Sequence, residues 1–330
     1  MESRNKWNIY IRFTLMHSKN IYLFNFFTLA IICWLFSTCK SAEELNDFDI
    51  HVKDKNYQLT LAPPDGIKVA NNLYYDQEDV TNINWREYMY WTEHVYGYSS
   101  PEYKATFPDT LVWVRLSLLM DTVNCLNWFV YYYLRSPTYQ DYPVVGITQE
   151  QAEMFTKWRS DRVMEYLLVA NKIIVWDTAP KPDTYFTIER YFRGKYKNIL
   201  PNSGFMYYPD FRLPTISEWH KGISYNDSIT NLFGKQDTQR LWLDIKPCRH
   251  DTLFCAPTEK CAGGVSPAKN SLLNNMHDNV SAWATEDGVC LGGGWHDKES
   301  IILKQDTFHR NWPNAWTGFR NVCEWKKWTK

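Results

Sequence analysis

The sequence has no surplus of either charge. Its 36 Lys and Arg stand against 37 Asp and Glu, a formal net charge of -1 at pH 7. With no basic excess to neutralise a phosphate backbone, nucleic acid is not an expected partner. Several catalytic signatures are also missing. There is no Gly-rich phosphate-binding loop, no G-x-S-x-G elbow and no H-E-x-x-H helix, so three common chemistries have no residues to run on. Residues 98–140 lack clean amphipathic periodicity. What the chain has in quantity is rings: 17% of its 330 residues are aromatic, including 16 Trp and 22 Tyr. With 45% hydrophobic and 22% charged residues the composition is globular, and the length suits one large domain or two small ones. A ring-built core predicts loop-rich architecture with most Tyr and Trp polar tips hydrogen-bonded.

The N-terminus reads as a targeting segment. Arg4, Lys6, Arg12 and Lys19 precede an apolar run from Ile21 to Phe36 that only Asn25 interrupts strongly. A basic region followed by a short apolar one is a secretory signal; a retained membrane anchor is the alternative, because the run approaches spanning length. It ends Leu35-Phe36-Ser37-Thr38-Cys39, similar to a degenerate lipobox, in which a lipidated Cys becomes the new N-terminus. The other reading is an ordinary cleaved signal with Cys39 as one more thiol. The expected domains are therefore a signal peptide over 1–38, a polar tether over 39–65 closing at Pro63-Pro64, and a single domain over 66–330.

Beyond Cys33 and Cys39 the chain carries Cys125, Cys248, Cys255, Cys261, Cys290 and Cys323. Export to an oxidising compartment makes disulfides the expectation, and spacing alone does not choose the pairing. Cys248, His250, Cys255 and Cys261 do not have a usual zinc spacing; a disulfide loop or buried free thiols is the plainer reading.

Local signals place the elements. Strands are expected over Tyr57–Ala62 and Ile67–Tyr75. A helix opens at Asp79-Val80-Thr81-Asn82, puts Trp85, Tyr88, Met89 and Val95 on one face, and stops at Gly97. The stretch Trp113–Tyr133 holds a helix or strands. Tyr142–Thr148 is extended. Thr148 and Gln151 form a capping box for a second helix, whose apolar face is Ala152, Phe155 and Trp158, continued by Val163 and Tyr166. A second capping box, Thr215 with Glu218, follows Pro214 and leads into Trp219.

That last stretch, Arg212-Leu213-Pro214-Thr215-Ile216-Ser217-Glu218-Trp219, resembles the R-L-P-T-x-x-E-W motif of the formylglycine-generating-enzyme (sulfatase-modifying factor) family. Other landmarks come in the family's order. Tyr75–Asn82 is similar to its opening signature, and Pro143–Trp158 to its P-V-x-x-V-[ST] unit with Ile147 in place of Val. Asn275–Trp283 resembles D-M-x-G-N-V-x-E-W. Gly292-Gly293-Gly294-Trp295, followed by Gly318-Phe319-Arg320, resembles its R-G-G-S-W … G-F-R close. The run Trp158-Arg159-Ser160-Asp161-Arg162-Val163-Met164-Glu165-Tyr166 and Tyr133–Tyr139 resemble a subgroup, the gliding-motility and type IX secretion lipoproteins K and J of Bacteroidetes. The resemblance implies an α+β, formylglycine-generating-enzyme-like (C-type-lectin-related) domain, loop-rich, with short strands and a few capped helices. Arg212, Pro214, Thr215, Glu218, Trp219, Gly292, Gly293, Gly318 and Arg320 would be its structural motif residues.

The family's enzymes oxidise a substrate cysteine at a copper ion held by two Cys five residues apart, because soft thiolates select Cu(I). Those positions fall at about Asp297 and Ile302 here, and neither side chain makes a thiolate. His296 and His309 flank the region and read as surface or satisfied residues. Asp297 and Glu299 read as a solvated acidic pair. The resemblance also implies structural calcium, for which Asn279 and Asp278 are the candidates. Asp278 stands where Gly is usual and Ala282 where Glu is usual, and Asn279 is otherwise a turn-forming residue. No catalytic residue is assigned. The expected role is a non-catalytic outer-membrane lipoprotein, anchored by Cys39 on the periplasmic side. It would be a structural part of the gliding and type IX secretion machinery, with other envelope proteins of that machinery as partners. A sulfatase-modifying oxidoreductase using other residues is the alternative, and a ligand-binding module on the same fold is a third reading.

Overall fold

The computed structural model describes residues 62–119, 127–233, 272–277, 279–297 and 307–329. All of them lie in the compact unit His51–Lys330. The signal segment, Cys39 and Tyr57–Leu61 lie outside them, as do Cys125, Cys248, His250, Cys255 and Cys261. Ala62, the last residue of the first expected strand, is irregular.

Eight short strands are present among the described residues: β1 Gly66–Ala70, β2 Leu73–Asp76, β3 Tyr207–Arg212, β4 Ser281–Trp283, β5 Val289–Leu291, β6 Thr307–His309, β7 Thr317–Gly318 and β8 Val322–Lys327. One sheet is antiparallel in the order β1-β2-β8-β3. The second runs β6-β5-β4-β7, antiparallel except where β4 lies parallel to β7. The single strand expected over Ile67–Tyr75 is a hairpin instead. The chain reverses at Asn71-Asn72, and Asn72 takes the left-handed conformation that asparagine tolerates (φ 55°). Its side chain then bonds both the carbonyl and the amide of Trp325, each at 3.0 Å. A partner 253 positions away therefore holds this turn.

The helices are α1 Asn82–Tyr96, α2 Pro101–Ala105, α3 Val112–Leu119, α4 Asn127–Tyr132, α5 Gln149–Ala170, α6 Ile188–Phe192 and α7 Ile216–Phe233. The expected box of Thr148 with Gln151 caps α5. The start of α1 carries a box that was not among the expected ones, Thr81 with Asn84 at the third position. Gly97 ends α1 as expected. The ambiguous stretch Trp113–Tyr133 is helical in α3 and α4. Tyr142–Thr148 runs extended without joining a sheet, tied to the entry of α1 by a bridge between Thr81 and Pro143.

The core is made of rings. Trp85 stacks on Phe155 at 5.6 Å and meets Phe319 edge-on at 5.9 Å, among Val144, Ile147, Leu213 and Trp283. Several buried ring tips are bonded. The indole N–H groups of Trp85, Trp283 and Trp295 donate to the carbonyls of Thr106, Ile147 and Ala315, and the Tyr133 hydroxyl donates to that of Pro143. Others depart from the expectation: Tyr75 Oη, Trp158 Nε1, Tyr196 Oη, Trp219 Nε1 and Trp316 Nε1 are buried with no hydrogen-bond partner among the described residues.

The second half of α5 departs from the simple stripe. Val163 is half-buried and Tyr166 is exposed, whereas Ser160, Asp161, Met164, Leu167 and Leu168 turn inward. The reason is the segment between α5 and β3, which packs over this face. Asp161 Oδ1 accepts from the Ile188 amide at 2.8 Å. Arg162 pairs with Glu165 and donates to the Phe186 carbonyl. Arg159 pairs with Asp76 in β2. The charged residues of the Trp158–Tyr166 run thus fasten the inserted segment and the first sheet to one helix.

Candidate functional site

The start of α7 is built by reciprocal bonds. Glu218 Oε2 accepts from the Thr215 amide at 2.9 Å, and Thr215 Oγ1 accepts from the Glu218 amide at 3.2 Å. Sequence spacing showed that box. It did not show that Arg212, at the end of β3, grips the same carboxylate with two guanidinium bonds of 2.7 and 2.6 Å. Burial alone would raise the Glu218 pKa, but the bonds from Arg212 and Thr215 win and hold it at about 2. Pro214 accepts from the Thr285 amide, and Trp219 is 1% exposed. The motif therefore docks helix, strand and second sheet on one another.

The C-terminal landmarks close on the same core. Gly292 has φ 87°, and a Cβ there would lie 2.5 Å from the Met276 carbonyl oxygen and 2.8 Å from the Trp219 ring. No other residue fits so close an approach. Gly293 follows with φ 81°. Gly318 backs onto Val144, whose carbonyl oxygen would sit 2.7 Å from an added Cβ. Arg320 is fully buried; it pairs with Asp79 and also donates to the carbonyls of Gln77 and Asn274.

Asp297, where the resemblance would put a copper thiolate, is not a solvated acid. Its side chain is 11% exposed, and its two carboxylate oxygens lie 2.7 and 2.8 Å from Arg310 Nη2. It also accepts from the Gly294 amide at 2.8 Å. The Arg310 guanidinium lies over the Phe308 and Trp316 rings, and Trp316 carries exposed His296 stacked at 4.1 Å on the ring. His309 is exposed. Ile302 and Glu299 lie outside the described residues. Nothing local predicted the partner, which arrives from β6, 13 positions on.

Arg310 also forms part of the wall of a cavity of about 490 Å³, which Glu150 and Glu153 of α5, Trp283 and Asp287 line as well. Copper(I) does not fit the donors at this place. A paired carboxylate and an isoleucine replace the soft sulfurs; Cys290, opposite Phe308 in the neighbouring strand, and Cys323 are both buried free thiols. The disulfide expectation fails for these two. Burial pushes both thiols well above the ordinary cysteine range, so neither is a ready thiolate.

Asn279, a calcium candidate, is buried with φ 63°, and its backbone oxygen accepts from the Trp295 amide at 2.9 Å. Asp278 lies outside the described residues. Ala282, where an acid is usual, packs its methyl among Leu291, Met276 and Trp219. Among the described residues no group of three His, Cys, Asp or Glu stands together as a metal site. No helix among them is long and apolar enough to cross a membrane.

Comparison with known proteins gives one strong match. The family model described as sulfatase-modifying factor enzyme 1-like domain matches residues 41–325. No curated protein matches. Among solved structures, the crystal structure described as that of CarF is similar at 15% identity, covering 76% of this chain and 86% of that one, with a TM-score of 0.33.

Proposed function

The chain belongs to the sulfatase-modifying factor enzyme 1-like domain family, and from that premise we propose that it is a non-catalytic member, an envelope lipoprotein that serves as a structural part of a gliding or type IX secretion machine. The observation that carries the non-catalytic half is the Asp297–Arg310 pair. The position that would supply a thiolate instead holds a carboxylate, already neutralised by a guanidinium at 2.7 Å and turned to building the loop after Trp295. A hard carboxylate so engaged is not the soft thiolate that holds Cu(I).

The envelope half is supported by the sequence: the apolar segment ending at Cys39, and the Trp158–Tyr166 run that resembles the gliding lipoproteins. Partners would be other envelope proteins of that machine, and the lipid on Cys39 would hold the chain at the outer membrane. A C-type-lectin-related plan and structural calcium at Asn279 and Asp278 belong to the same reading. The alternative, an oxidoreductase of the sulfatase-modifying type using other residues, draws its support from the family match alone.

One experiment separates them. Metabolic lipid labelling and detergent extraction of wild type and Cys39→Ala test the anchor. Affinity purification of the extracted wild type tests the assembly, and oxygen uptake with a cysteine-containing peptide and Cu(I) tests the enzyme. The proposal expects label lost in the variant, a large envelope complex and no copper-dependent oxygen uptake. Copper-dependent turnover, or unchanged processing in Cys39→Ala, overturns it.

A further inference from the structure

The family landmarks leave a second cavity unexplained. It measures about 1070 Å³, at the upper end of the roughly 300–1,000 Å³ typical of ligand pockets. Its walls are α1, α2, α5, the inserted segment around α6, β3, and Trp328 just after β8. It is separate in sequence from the Asp297 region, and no residue of the R-L-P-T or Gly-rich motifs lines it.

Its chemistry is mixed in a telling way. Lys157, Arg190, Arg193 and Lys195 are the cations of the lining. Glu102, Asp161, Glu189 and Asp210 are the anions. Two of these acids are already matched, Glu189 by Arg193 at 2.9 Å and Asp210 by Lys326 at 2.5 Å. Arg190 is fixed by the Tyr185 and Pro182 carbonyls. Between these groups stand rings. Trp91, Tyr96, Tyr185 and Trp328 are each half-buried, so part of each stays open. Trp91 meets Tyr185 edge-on at 5.1 Å, and Tyr96 and Tyr185 share a hydroxyl–hydroxyl bond of 2.9 Å. Trp328 is backed by Phe192, stacked at 5.0 Å.

Charge decides among ligand classes. Net of those pairs the lining keeps Lys157, Arg190 and Lys195 against Glu102 and Asp161, so an anion meets carboxylates set among the cations and a cation meets more cations than carboxylates. A wholly apolar ligand would desolvate the ionic groups without replacing their bonds. A polyhydroxylated ligand avoids all three penalties. Its hydroxyls donate to carboxylates and accept from ammonium and guanidinium groups, while its C–H faces lie on the rings. We propose that this cavity binds an uncharged saccharide chain, with Asp161 and Glu102 accepting, Lys157 and Arg190 donating, and Trp91 and Tyr185 supplying ring surface. The inference does not depend on the scaffold reading.

The test is calorimetric titration of the purified full chain with neutral hexasaccharides of glucose, mannose and N-acetylglucosamine, beside a glucuronate and a glucosamine oligomer of equal length. Saturable binding of at least one neutral oligomer is expected, in preference to both charged ones. It should weaken about threefold to tenfold in Lys157→Ala and again in Glu102→Gln. Both side chains are exposed, so folding is preserved, and an unchanged melting temperature verifies it. Trp91→Ala adds a third arm. Failure of every neutral oligomer to bind, preference for a charged one, or wild-type affinity in both rim variants each overturns the proposal.

Discussion

Arg320 and Asp79 form an ion pair with Nη2 3.1 Å from Oδ1, their side chains 0% and 1% exposed, across 241 positions of sequence. The pair joins the last family landmark to the entry of α1. Removing one member would strand the other charge in the core, which costs about 3–5 kcal/mol. Arg320→Met should therefore lower stability in urea by that order, or prevent folding. Arg320→Met with Asp79→Leu should recover part of the loss, because the stranded carboxylate is gone. Denaturant midpoints of the two variants check this.

Glu218 gives a pH-dependent counterpart. Its folded pKa is depressed to about 2, so its contribution is present above the ordinary Glu pKa of ~4.3 and disappears as pH falls through the folded value. Glu218→Gln should cost on the order of 1–3 kcal/mol at pH 7, and its deficit should shrink steadily towards pH 2. Chemical denaturation at pH 7, 4 and 2.5 measures the closing gap.

Asp161 runs the other way. Burial raises its pKa to about 6 against the pull of the Ile188 amide and nearby cations. In the folded state it binds its proton more readily than when unfolded, so stability is lost as pH rises from ~4 to 6. Asp161→Asn keeps an acceptor for the Ile188 amide. It should remove roughly 2 kcal/mol of pH dependence across that window, leaving the variant relatively more stable at pH 7.5 than at pH 4.5. Melting curves of both proteins across that range decide it.

Cys290 and Cys323 should resist alkylation in the folded protein, since both are buried and their thiols are held protonated. Mass-spectrometric mapping after maleimide treatment should find both unmodified in buffer and both modified in denaturant. Rapid native modification of Cys290 would mean that its strand opens readily.

Cap chemistry was legible because it is local. Thr148 and Thr215 each find the expected partner three residues on, and the helices begin there. The α5 face was legible only as far as Trp158. Beyond it Tyr166 points outward, because the inserted segment docks on the polar side of the helix and reverses the ordinary meaning of a charged residue. Asp161 and Glu165 look like solvent-facing residues by periodicity, yet they are buried among partners from that insertion.

The chain's own residues determined the family, the helix starts and the want of copper-binding sulfur, since motif order and side-chain identity need no third dimension. The tertiary structure alone decided what engages the carboxylate standing in place of that sulfur, which acids are buried, and which cysteines are free. Those answers depend on partners brought from 13, 27 or 241 positions away, and a one-dimensional pattern holds no distance between them.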